Sequence, residues 1–161
     1  MTTDAPFGID AVTAYLKEQG VEHEVVEHRA TYTAAEEAVA SEVPRDHAAK
    51  TIALRDDGEY RFAVLPASER LDVHKAREAL DATGRLRLAA EAEMEADFPS
   101  FEVGALPPFG PMLPARAILD ERLLTHDRIL CAGGDHRHGV LLDPGDLVRI
   151  AAPRVADICE D

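Results

Sequence analysis

Ala49-Lys50-Thr51-Ile52-Ala53-Leu54, then Arg55-Asp56-Asp57-Gly58-Glu59, then Tyr60-Arg61-Phe62-Ala63-Val64-Leu65 read in turn as strand, turn and strand. Both flanking runs are short and apolar, and Asp57-Gly58 is a dipeptide that tolerates the positive φ of a tight hairpin turn. The segment predicts a β-hairpin with Lys50 on the same side of its strand as Ile52 and Leu54.

Towards the N-terminus, Ile9, Val12 and Leu16 recur at helical spacing, Gly20 closes that stretch, and Val21 to Glu27 reads as a strand. Thr33-Ala34-Ala35-Glu36 is a capping box that opens a helix to about Ser41, with Pro44 beyond it. On the C-terminal side, Asp72 can cap a helix carrying Val73, Ala76 and Leu80, expected to end at Gly84. A short strand at Arg85 to Leu88 and a helix at Ala90 to Phe98 follow. Strands are expected at Ala115 to Leu119, Arg128 to Ala132 and Gly139 to Leu142, and Asp143-Pro144 opens a last helix. Hairpins mixed with single helices give an α+β fold and not a doubly wound sheet.

No repeat, low-complexity tract or linker divides the 161 residues, so one domain over 1–161 is expected. Apolar residues at 46% and charged residues at 30% suit a globular chain, and no apolar run reaches the ~20 residues that span a bilayer. A membrane partner is not expected, and a start without a basic, then apolar, stretch gives cytoplasmic localisation as the expectation. Two cysteines, Cys131 and Cys159, are too few for a disulfide framework. The net charge of −14, from 17 basic and 31 acidic residues, disfavours polyanions, while the scarcity of lysine also suits a salt-rich interior. Arg55, Arg61, Arg70 and Arg77 are the candidates for a compensating basic patch.

Lys50 sits within an apolar run, either as an edge lysine reaching water or in a core ion pair, or as a cation at a pocket floor that holds a phosphate or an oxyanion. Gly104-Ala105-Leu106-Pro107-Pro108-Phe109-Gly110-Pro111 can be neither helix nor central strand. Its glycines permit close backbone approach and its prolines stiffen it, as in a shaped wall of donors or a plain turn. Cys131-Ala132-Gly133-Gly134-Asp135-His136-Arg137-His138 invites a metal reading, but His136 and His138 lack an evident third ligand unless His126 or His28 supplies it. No metal and no cofactor are therefore expected. There is no serine elbow, P-loop or dinucleotide fingerprint.

Taken in order, Thr33, Ala49-Lys50-Thr51, Val64-Leu65-Pro66, Leu71-Asp72, the Gly104 to Gly110 loop, Ala132-Gly133-Gly134, Gly139-Val140-Leu141-Leu142 and Asp146-Leu147 resemble the YbaK-like aminoacyl-tRNA deacylase family. That family is related to the editing insertion of bacterial prolyl-tRNA synthetases, and the resemblance spans roughly residues 20–158. It implies a mixed, barrel-like β-sheet flanked by helices, and hydrolysis of the ester joining a wrong amino acid to tRNA. It implies Lys50 as the catalytic lysine, with Gly104, Ala105, Pro108, Phe109 and Gly110 on the amino-acid side. His28, Thr33, Thr51 and Gly133 are the further substrate-binding residues. A water attacks in place of a protein nucleophile, helped by backbone donors and the vicinal ribose hydroxyl. The implied partners are the 3′ end of a mischarged tRNA and an aminoacyl-tRNA synthetase. The alternative is a non-catalytic module of the same fold that binds tRNA, a nucleotide or a synthetase. Pro111 to Ala115 departs from the tyrosine- or leucine-bearing segment of many members, so amino-acid preference does not carry over.

Overall fold

The computed structural model describes residues 6–109 and 116–161. Helix α1 (Ile9–Glu18) leads to β1 (His23–Glu27), which begins two residues later than its sequence suggests, and then to α2 (Ala34–Ala40). The hairpin forms as expected from β2 (Ala49–Asp56) and β3 (Glu59–Pro66), with Lys50 opposite Leu65 and a turn at Asp57 and Gly58, both at positive φ. Next come α3 (Val73–Leu80), β4 (Leu86–Leu88), α4 (Glu91–Asp97), β5 (Arg116–Asp120), β6 (Ile129–Ala132), β7 (His138–Leu142) and α5 (Pro144–Ala151). The chain closes on β8 (Arg154–Ala156), which the sequence reading missed along with two short 3-10 turns at Arg45–His47 and Glu121–Thr125.

Helix starts follow side-chain chemistry. Thr33 accepts the Glu36 N–H at 3.1 Å, Asp72 accepts from His74 and Lys75, and Asp143 accepts from Gly145. Such caps satisfy N–H groups that the helix leaves open, at about 1 kcal/mol each. The end of α3 differs from expectation: Asp81, not Gly84, takes the left-handed conformation and returns its N–H to Glu78. Gly84 serves packing instead, since a Cβ there would lie 1.7 Å from the Asp57 carboxylate.

The strands form two sheets, ordered β1-β7-β6 and β4-β2-β3-β5-β8. The first is antiparallel throughout; in the second, β3–β5 and β5–β8 run parallel. An isolated bridge between Ala48 and Leu130 joins the two. The α+β architecture is thus as expected, with two joined sheets where a closed barrel would have one. The β3 run Phe62-Ala63-Val64-Leu65 is buried throughout because its two faces serve two cores. Phe62 and Val64 pack with Val12, Leu16, Leu119 and Val140, while Ala63 and Leu65 pack with Ala76, Leu80, Ile118 and Ile158.

Asp120, 0% exposed, ties the C-terminal segment to β5. Its carboxylate accepts from the Arg122 N–H at 2.9 Å, Arg122 Nη1 at 3.1 Å, the Ile158 N–H at 2.9 Å and Cys159 Sγ at 3.2 Å. Both cysteines are buried thiols, and burial pushes Cys159 up to about 12.

Candidate active site

A cavity of about 50 Å3 lies between α2, the start of β2, the loop after Val103 and the β6–β7 connection. Among the residues around it are Lys50, Thr51, Thr33, Gly104, Ala105 and Glu37. This volume holds water and not an amino acid. Ala49, Lys50 and Thr51 are consecutive in one strand, and all three line it. Since successive strand side chains alternate between faces, a wall of three neighbours means that the cavity runs along the strand's edge. Among the described residues the ladder with β4 starts only at Leu54, and the bridge from Ala48 to Leu130 lies just before this stretch. Gly104, Ala105 and Leu106 form a second consecutive stretch of wall. Gly104 is exposed at φ +89, and a Cβ there would lie 3.2 Å from the Tyr32 carbonyl oxygen. A glycine is needed for both reasons.

The Lys50 ammonium donates to the backbone carbonyl of Glu69. Among the described residues no carboxylate lies within ion-pair distance of it, although the chain carries 31 acidic residues. Burial lowers its pKa from the ordinary lysine value, and Arg70 nearby acts in the same direction. A half-buried cation held by a neutral oxygen keeps its charge for a ligand.

Glu37 was missed by sequence reading, which took up only its neighbour Glu36 as part of the capping box. The available sign was its helical stripe, shared with the uncharged Ala34 and Ser41. In the fold Glu36 is exposed and Glu37 is 5% exposed. Glu37 Oε2 lies 2.9 Å from His28 Nε2, and His28 is itself 9% exposed. Burial pushes Glu37 up to about 7, against the opposing hydrogen bond from His28. Asp135, also in the cavity wall, accepts the N–H groups of Ile9 and Arg137 and pairs with His138 Nδ1 at 2.8 Å.

His28 therefore reaches the cavity through Glu37, while Thr33, Thr51, Gly104 and Ala105 border it directly. Pro108 and Phe109 are buried away from its lining, with Phe109 stacked on Tyr15 at 6.1 Å. Gly133 belongs to the β6–β7 turn: its N–H donates to the His138 carbonyl at 3.0 Å, and a Cβ would approach that oxygen to 2.6 Å. Gly110 lies outside the described residues. His136 and His138 are held apart by different partners, His136 between Glu102 and the Val103 carbonyl and His138 by Asp135. The expected arginine patch is largely engaged: Arg55 by Tyr60, Glu93 and Asp97, Arg61 by Glu59, and Arg77 by the Gly84 carbonyl.

The sequence profile of the aminoacyl-tRNA editing domain matches residues 28–150, and the chain belongs to that family. Among solved structures, a candidate trans-editing enzyme for prolyl-tRNA synthetase is 29% identical with a TM-score of 0.86. That match covers 99% of this chain and 100% of the other. The hypothetical protein APE2540 is 26% identical with a TM-score of 0.82, over 93% of this chain and 99% of its own. Among curated proteins no sequence matches.

Proposed function

We propose that the chain is a free-standing, cytoplasmic hydrolase that removes a wrongly attached amino acid from tRNA by cleaving its ester bond. The observation that carries this reading is Lys50 in the cavity wall, its ammonium met by a neutral carbonyl and by no carboxylate among the described residues, with two stretches of consecutive residues lining the same cavity. A water oxygen forms the new bond to the ester carbonyl carbon, and the bond from that carbon to the ribose oxygen breaks. The ribose oxygen leaves with a proton, giving free amino acid and intact tRNA. Lys50 stabilises the negative charge that builds during attack, assisted by backbone N–H groups, and the vicinal ribose hydroxyl helps to orient the water. The described lining contains neither serine nor cysteine, in keeping with attack by water. The amino acid is too large for the cavity and sits at its mouth, near Gly104 and Thr33. The full-length similarity to a candidate trans-editing enzyme supports action on the tRNA in trans, with a synthetase as functional partner.

The test is deacylation of a panel of mischarged tRNAs, comparing the wild-type chain with Lys50→Ala. Turnover of at least one tRNA is expected, and Lys50→Ala should lower it by about 100-fold or more while the melting temperature is kept. Binding without turnover across the panel would instead support the module reading.

A further inference from the structure

His28 Nδ1 lies 2.6 Å from the Arg29 carbonyl oxygen. A carbonyl can only accept, so Nδ1 carries a hydrogen. His28 Nε2 then faces Glu37 Oε2 at 2.9 Å, where two lone pairs would repel unless a proton lies between them. The pair thus holds one proton in that contact, on the carboxyl with a neutral imidazole or on the imidazole with a carboxylate. The other carboxyl oxygen, Glu37 Oε1, bonds to no described residue and is not sealed from solvent. Glu37 borders the cavity, while His28 stands behind it, bonded to Glu37 Oε2 and outside the cavity lining.

We propose that His28 and Glu37 form an acid–base dyad in which Glu37 Oε1 takes the proton of the attacking water and returns it to the departing ribose oxygen. As Oε1 gains the water proton, the shared proton moves onto His28 Nε2. When Oε1 gives its proton to the ribose oxygen, the shared proton returns and the dyad is restored. Glu37 is a catalytic residue in this scheme and His28 a positioning residue. The inference rests on the hydrolase reading above and deepens it by naming the group that handles the proton.

Among the described residues, two further titratable groups face the dyad. Asp135 approaches from the β6–β7 connection and is itself paired with His138, and Cys131 is a buried neutral thiol on β6 that burial pushes well up. Asp135 favours protonation of Glu37. Burial sets the titration of Glu37 at about 7, within reach of a base that works near neutral pH.

The test is single-turnover deacylation between pH 5 and 9, on a mischarged tRNA that the wild-type chain hydrolyses, for wild type, Glu37→Gln, Asp135→Asn and Lys50→Ala. The wild-type rate should climb about tenfold per pH unit on its acid limb and level off near neutrality. Glu37→Gln should lose about 100-fold on the plateau and lose the limb with it. Asp135→Asn should move the limb to lower pH. A Glu37→Gln enzyme that keeps the limb, at any rate, would overturn the proposal. Lys50→Ala should keep the limb at reduced height, which separates failure of the dyad from failure of the hydrolase reading. Imidazole nitrogen NMR of the wild-type chain tests the dyad without substrate and without relying on the variants' folding. Protonated Nδ1 on His28 is expected at pH 7, and an Nε2-only tautomer would equally overturn it.

Discussion

Asp120 and Glu37 are both carboxylates withdrawn from water, and their surroundings are opposites. Asp120 is met by two backbone N–H groups, a guanidinium and a thiol, so that its charge is answered from several sides. Glu37 has one partner, His28, and an oxygen that no described residue bonds. Burial is nearly the same, and the difference lies in the number of donors supplied. A carboxylate given several donors clamps the chain, here holding the C-terminal segment onto β5. One given a single donor, with burial pushing it up to about 7, exchanges a proton near neutral pH.

The contrast can be broken most severely at Asp120. Asp120→Ala strands the Ile158 N–H and removes the inner partner of Arg122, and should cost about 3–5 kcal/mol, read by urea unfolding. Turnover per folded molecule should persist, since none of these groups borders the cavity. A loss below 1 kcal/mol would put Asp120 in the same class as Glu37.

Glu37→Gln sharpens the other side. Because the folded state raises the Glu37 pKa from 4.5 to about 7, its contribution to stability is fully present below pH 4.5 and is lost as pH rises through 7. Unfolding midpoints of wild type should therefore fall relative to Glu37→Gln between pH 5 and 8. Parallel curves would mean that Glu37 does not titrate in that window.

The smallest effect concerns the exposed carboxylates, which share neither environment. With net charge −14, the melting temperature should rise by a few degrees from low to molar KCl as repulsion is screened. Asp120→Ala should show the same rise, because salt reaches surface charges far better than buried ones.

Legibility in the sequence followed how local the cause was. The β2–β3 hairpin and the Thr33, Asp72 and Asp143 caps depend on a few adjacent residues, and all formed where read. β8 was missed because Arg154-Val155-Ala156 is short and largely exposed, and becomes a strand only by lying parallel to β5. Lys50 and Gly104 could be singled out by their oddity, a lysine among apolar residues and a glycine in a stiff loop. Glu37 offered only its place on the helical stripe of Ala34 and Ser41, since packing against β6 and β7 is what buries it and leaves Glu36 exposed. Gly133 shows the reverse, a motif position whose closeness to backbone serves a turn.

The stretch of β2 from Ala49 to Thr51, which no described strand covers on the side away from β3, has a consequence for life in a crowded solution. An unpaired strand edge is a template on which another extended chain can add, and proteins commonly guard such edges with lysine or with a covering loop. Here the edge from Ala49 to Thr51 is set inside a recess only wide enough for water, with Lys50 posted on it and the Gly104 to Leu106 stretch opposite. A recess that admits only a small reactive group at its mouth is too narrow for a second polypeptide strand to lie along that edge.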